Sequence, residues 1–65
     1  MKKEKVKDVI NHEFIQNAKM ITIMFGSRQY DFTNIDEMLH WCGNNTVISI
    51  RWLHFTSKWV GIVIE

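Results

Sequence analysis

The strongest constraint on this chain is that it has 65 residues and a single cysteine, Cys42. A domain this short buries only about 60% of the surface that its unfolded chain exposes, and small domains are usually reinforced by disulfides, a metal or a partner subunit. No disulfide can form within this chain. The sequence therefore predicts one domain, residues 1–65, that needs stability from another source. One unpaired thiol is also typical of a reducing, cytoplasmic (intracellular) compartment.

Composition excludes several classes of protein. The apolar fraction of 46% is ordinary for a globular chain and too high for a disordered one. The net charge of +1 provides no strong field to attract nucleic acid or an acidic membrane. No apolar run approaches the roughly 20 residues of a membrane span, and polar residues interrupt the segment after the basic start. We therefore expect neither a membrane segment nor a signal peptide.

The first half of the chain shows helical and then alternating periodicity. Apolar residues at three- and four-residue steps predict a helix over residues 3–17, and they are Val6, Val9, Ile10 and Phe14. Alternation from Met20 to Phe25 predicts a strand with apolar side chains on both faces. Gly26 then marks a turn, and a short strand from Tyr30 to Phe32 completes a hairpin.

A second helix is marked at both ends. Asn34 can cap its start, with Glu37 three residues later in the capping-box position. Gly43 is expected to end it in the left-handed conformation. Between these residues the apolar stripe consists of Ile35, Met38, Leu39 and Cys42.

The last twenty residues predict two strands, Thr46–Phe55 and Lys58–Glu65. In one register of this hairpin, the residue numbers of each cross-strand pair add up to 112. The apolar residues then lie on one face, which carries Ile48, Ile50, Trp52, Val60, Ile62 and Ile64. A shift of one residue would mix polar residues into that face, so the apolar pattern selects this register. The register implies the loop Phe55-Thr56-Ser57, which lacks the glycine that such loops prefer.

Together these elements predict an α+β fold. The order is αββαββ, and the expected architecture is a small domain with a three- or four-stranded, mostly antiparallel sheet and two helices packed on one face. The opposite face of the sheet has no helix left to cover it. An N-terminal helix that folded over this second face was the alternative.

Site chemistry is sparse. The side chains that zinc accepts are His12, His40, Cys42 and His54, but their spacing matches no closed site. Cysteine–histidine catalysis needs a base within reach of the thiol, and Cys42 lies on the apolar stripe, where a thiol is usually inert. The chain is also expected to be too small for a ligand cleft of several hundred cubic ångströms. The sequence thus predicts no metal, no cofactor and no enzyme activity.

Two kinds of binding function remain. The uncovered sheet face would expose Arg51, Leu53, Trp59 and Val63, and Trp and Arg are enriched at binding hot spots. This pattern predicts a protein–protein interaction module that forms a homodimer. Because small intracellular domains without site chemistry are often phage- or mobile-element-encoded inhibitors of a host protein, we expect that role here, on the frequency of such proteins and not on the residue pattern. The alternative is a small single-stranded nucleic-acid-binding protein that uses the hairpin 51–59, with Arg51, Phe55, Lys58 and Trp59 as contacts.

Overall fold

The computed structural model describes residues 4–65. The segments with helical and alternating apolar patterns form two short helices, a 3₁₀ turn and one four-stranded sheet. In chain order these are the 3₁₀ turn Val6–Asp8, α1 (Glu13–Asn17), β1 (Met20–Phe25), β2 (Arg28–Phe32), α2 (Ile35–Cys42), β3 (Val47–His54) and β4 (Trp59–Ile64). The predicted α+β class and the αββαββ order are confirmed.

The sheet consists of two hairpins joined side by side. Its strand order is β2-β1-β4-β3. The pairs β1–β2 and β3–β4 are antiparallel, whereas the central pair β1–β4 is parallel. Because β2 and β3 form opposite edges, the connection through α2 crosses the whole width of the sheet. The sheet is therefore mostly antiparallel, as expected, with one parallel pair at its centre.

The core lies between the helices and one face of this sheet. Ile23, Ile62 and Met38 are fully buried there, and Ile15 of α1 joins them. The remaining buried members of the cluster are Val6, Ile21, Cys42, Val60 and Ile64. Both helices thus contribute side chains to the same face of the sheet, as the sequence predicts. None of the helices in residues 4–65 is long and apolar enough to cross a membrane.

The N-terminal segment is not the single helix predicted over residues 3–17. Residue 3 lies outside the described residues, and the rest divides into the 3₁₀ turn and α1. The backbone of Val6 donates to Asn45, and that of Lys7 to Gly43, both at 3.0 Å. These bonds attach the segment to the loop after α2, so its amides are used outside a helix. His12 then accepts a bond from Phe14 and starts α1 separately.

The segment nevertheless buries two of the four side chains that the helical pattern selected, while Ile10 and Phe14 are half-buried. Val6 is fully buried and Val9 is nearly so. Val6 belongs to the same core cluster as Met38 and Cys42 of α2. The N-terminal segment therefore does not cover the second sheet face, at least over residues 4–65.

Helix α2 begins as predicted and ends differently. The side chain of Asn34 accepts a hydrogen bond from the backbone of Glu37 at 3.2 Å, which confirms the N-terminal cap. Gly43 has right-handed φ and ψ values of -56° and -28°, so the predicted left-handed stop is wrong. A Cβ at this position would lie 2.5 Å from the carbonyl oxygen of Leu39. Glycine is favoured here by close approach to the helix backbone.

The β3–β4 register is confirmed in the middle of the hairpin and interrupted at both ends. Ile50 pairs with Ile62, and Trp52 with Val60, as the sum of 112 requires. A bulge before Ser49 turns Ile48 outward, where it is 60% exposed, so its predicted core position is wrong. The second irregularity lies between Trp52 and His54.

The β3–β4 loop is one residue longer than predicted. His54 pairs with Trp59, which leaves residues 55–58 as the loop. Lys58 adopts a positive φ of 55°, the conformation for which glycine is usually selected. The missing glycine is therefore replaced by a lysine in the left-handed region.

Candidate functional site

The second face of the sheet, which we call the open sheet face, carries side chains from all four strands. Strand alternation places them there, since successive side chains of a strand point to opposite faces of the sheet. They are Met20, Thr22 and Met24 of β1, Gln29 and Asp31 of β2, Ser49, Arg51 and Leu53 of β3, and Trp59, Gly61 and Val63 of β4. No helix in residues 4–65 packs on this face.

A chain of hydrogen bonds fixes Trp59 on the open sheet face. Its indole Nε1 donates to the hydroxyl of Thr22 at 2.6 Å, and that hydroxyl donates to a carboxylate oxygen of Asp31 at 2.7 Å. The chain crosses from β4 through β1 to β2. Thr22 is 2% exposed, so the indole lies over a buried polar partner. Trp59 is thereby held in one orientation before any partner arrives.

Gly61 lets the apolar side chains of this face come together. A Cβ on Gly61 would lie 2.7 Å from the end of Met24 and 2.9 Å from Cγ of Leu53. These two side chains, from β1 and β3, therefore fold over the glycine from both sides. With half-buried Trp59 and Val63 they form a continuous apolar surface in the middle of the open sheet face.

The predicted partner-binding residues are brought together here. Leu53, Trp59 and Val63 are half-buried, and Arg51 is exposed at the β3 edge of the same face. The sequence analysis missed the contribution of Met24 and Thr22. The sequence shows that they alternate with core residues along β1. It does not show that β1 pairs with β4 in parallel, and this pairing places them beside Trp59.

The residues of the nucleic-acid alternative are divided between the two faces. Arg51 and Trp59 lie on the open sheet face, whereas Phe55 and Lys58 pack toward Trp52 on the helix side. The Lys58 Nζ lies 4.7 Å from the centre of the Phe55 ring, and the rings of Trp52 and Phe55 are 5.4 Å apart. The four residues therefore do not form one continuous surface.

A second surface, which the sequence analysis did not find, lies on the helix side of the β1–β2 hairpin. A cleft of about 620 Å³ is lined by Phe25, Gly26, Ser27, Arg28, Tyr30, Trp41, Asn45 and Ile64. The rings of Tyr30 and Trp41 are 4.4 Å apart. Arg28 donates to the Tyr30 hydroxyl at 3.5 Å, and this bond raises the pKa of the guanidinium. The expectation that the chain has no room for a cleft of this size was wrong, because exposed aromatic rings build walls at the edge of the fold.

The candidate metal ligands do not come together. No group of three or more His, Cys, Asp or Glu side chains in residues 4–65 is placed to hold a metal ion. Cys42 is buried, and its thiol donates to the carbonyl of Met38 at 3.2 Å. Burial raises the pKa of this thiol, which favours the protonated, unreactive form.

Comparisons with protein-family models, with curated proteins and with solved structures each find no match to this chain.

Proposed function

We propose that this chain is a non-catalytic protein–protein interaction module that binds through the open sheet face and associates with itself as a homodimer. The supporting observation is that Trp59, Leu53, Val63 and Met24 form an apolar surface that no helix in residues 4–65 covers. Exposed apolar patches on small domains usually mark interaction sites. Such a module fits the role of a cytoplasmic inhibitor of a host protein. Phages and mobile elements encode inhibitors of this kind.

The fixed orientation of Trp59 adds to this argument. Binding costs free energy when a flexible side chain has to be ordered, so an anchor that is already ordered favours affinity. The two hydrogen bonds through Thr22 provide that order. Trp is also the residue type most enriched among the side chains that dominate binding energy.

Sedimentation tests the proposal. The parent protein should run as a dimer at micromolar concentration, and Trp59→Glu should run as a monomer, because a carboxylate would be desolvated in the interface. Trp41→Glu is the matched control, since Trp41 is 50% exposed on the opposite side of the sheet. It should leave the dimer intact. A parent that stays monomeric at hundreds of micromolar would exclude the homodimer.

The nucleic-acid alternative has one observation in its favour. Phe55 is 63% exposed with the Lys58 ammonium beside its ring, a pairing that can meet a base and a phosphate. Titration of labelled single-stranded DNA and RNA at low salt separates the two functions. Binding that is lost near physiological salt and that requires Lys58 and Arg51 would favour the alternative, because phosphate contacts are strongly salt-dependent.

A further inference from the structure

We infer that the partner on the open sheet face is a second copy of this chain, related by a two-fold axis that runs parallel to the strands, with Arg51 of each copy over Asp31 of the other. This inference rests on the proposed function, self-association through this face. It adds the orientation of the two copies and the two charged residues that determine it.

The strand pairing places four residues in one row across the open sheet face. Asp31 pairs with Thr22, Thr22 with Gly61, and Gly61 with Arg51. Asp31 and Arg51 are exposed and lie at the two edges of the sheet. Three strand spacings separate them, roughly 14 Å. They are too far apart to pair within one chain, so a negative end and a positive end remain on the same row.

The charges distinguish between the two simple ways of stacking this face on itself. An axis parallel to the strands exchanges the two edges, so β2 of one copy lies over β3 of the other. Asp31 then faces Arg51 twice, once at each edge. An axis perpendicular to the strands that passes through this row keeps each edge over itself. Arg51 would then face Arg51 and Asp31 would face Asp31, and juxtaposed like charges disfavour that complex.

The apolar rows on either side of the Asp31–Arg51 row also favour the two-fold axis parallel to the strands. Met20 pairs with Trp59 in one row, and Met24 with Val63 in another. Exchange of the edges places Trp59 of one copy over Met20 of the other, and Met24 over Val63. A thioether against an aromatic ring is a favourable contact. Trp59, Met20, Met24 and Val63 thus each meet an apolar side chain of the second copy.

The spacing between stacked sheets also fits. Two sheets that pack face to face lie about 10 Å apart, a gap that the long Arg51 side chain and the shorter Asp31 side chain can bridge together. Asp31 uses Oδ1 for its bond from Thr22. A carboxylate has a second oxygen and can accept from an arginine at the same time. The pair of Arg51 with Asp31 of the second copy is therefore compatible with the hydrogen bonds that fix Trp59.

Charge reversal in the 65-residue chain tests the orientation. Arg51→Asp and Asp31→Arg should each weaken the dimer by about tenfold or more, because each creates two like-charge contacts. The double variant Arg51→Asp/Asp31→Arg should recover dimerisation, and so should an equimolar mixture of the two single variants. Asp31→Asn, which keeps an acceptor for Thr22, should be weakened less than Asp31→Arg. Dissociation constants from sedimentation equilibrium measure all of these.

Arg28→Asp is the matched control, because Arg28 lines the cleft on the helix side and its substitution changes the net charge equally. It should dimerise like the parent. If the parent and Arg51→Asp dimerise equally while Trp59→Glu is monomeric, the orientation is wrong and the proposed function stands. If the parent itself is monomeric at hundreds of micromolar, the proposed homodimer fails, and the orientation fails with it.

Discussion

At the scale of single residues, Thr22 connects the stability of the fold to the shape of the open sheet face. Its hydroxyl accepts from Trp59 and donates to Asp31, and the side chain is 2% exposed. A buried hydroxyl that satisfies two partners is worth more than its size suggests, since its loss leaves a donor and an acceptor without a bond. The same residue therefore supports both the sheet and the anchor of the proposed interface.

Thr22→Val removes this hydroxyl while it keeps the branched shape. We expect the free energy of unfolding to fall by about 1–3 kcal/mol, because the indole N–H of Trp59 loses its acceptor. Thr22→Ser is the control, since it retains the hydroxyl and should lose less. Urea unfolding followed by tryptophan fluorescence measures both variants. Equal stability of Thr22→Val and the parent would show that the bond contributes nothing.

Cys42 gives a prediction about pH. Burial raises the pKa of its thiol in the folded state, whereas an unfolded cysteine has a pKa of about 8.5. The unfolded chain therefore releases this proton first. The contribution of the thiol to stability is complete below about pH 8.5 and is lost as pH rises through the folded pKa. Between pH 7 and pH 10, Cys42→Ala should lose less unfolding free energy than the parent. An identical loss in both proteins would contradict this.

The residues that the sequence analysis found are those whose role follows from local alternation. Trp59 and Val63 could be assigned to the outward face of β4 because they alternate with the apolar residues Val60, Ile62 and Ile64. The role of Thr22 could not be predicted, since it depends on two partners at 9 and 37 residues' separation. Hydrogen bonds between strands require the register of the whole sheet, which alternation within one strand does not provide.

At the scale of elements, strand β3 shows how a bulge changes the role of a side chain. Ile48 shares the apolar character and the parity of Ile50, and the sequence places both in the core. The irregularity between Val47 and Ser49 adds a residue that has no partner on β4. Bulges commonly occur at sheet edges, and β3 is an edge strand.

This difference predicts unequal effects of the same substitution. Ile62→Ala should cost roughly 2–5 kcal/mol, because Ile62 is fully buried. Ile48→Ala should cost no more than about 1 kcal/mol, as expected for an exposed strand position. Thermal unfolding by circular dichroism compares the two variants with the parent. If Ile48→Ala were the more damaging variant, the bulge would be misplaced.

Helix α2 was predictable and the N-terminal segment was not, for a physical reason. The cap at Asn34 and the apolar stripe of α2 are local signals, and they agree with each other. The segment before β1 has the same periodicity, but its β-branched residues and Asn11 are weaker helix formers. Its backbone instead bonds to the α2–β3 loop through Val6 and Lys7, and the carbonyl of Glu4 accepts from Val47 at the start of β3. Such tertiary bonds are not visible in a periodic pattern.

At the scale of the whole molecule, residues 4–65 form a fold in which helices cover one sheet face and leave the other uncovered. The radius of gyration of 10.6 Å is that of a very small domain, and one helical layer covers one side of the sheet. The sequence predicted this asymmetry correctly from the number of elements. It did not predict the aromatic cleft beside Trp41, because residues of β1, β2, α2, β4 and the loops between them line that cleft together, and no single element shows it.

The asymmetry leads to a prediction about concentration. A second copy that binds only the folded chain stabilises it by mass action, and it buries the apolar surface around Trp59 that the lone domain leaves uncovered. The melting temperature of the parent should therefore rise with protein concentration, by a few degrees for each tenfold increase in so small a domain. Arg51→Asp, whose substitution lies on the exposed edge of the face, should melt at lower temperature and with less dependence on concentration, and the double variant with Asp31→Arg should regain both properties. Differential scanning calorimetry over a hundredfold range of concentration measures this. A parent melting temperature that stays constant over that range would mean that folding and association are not coupled, and that the core beneath the helices is sufficient alone.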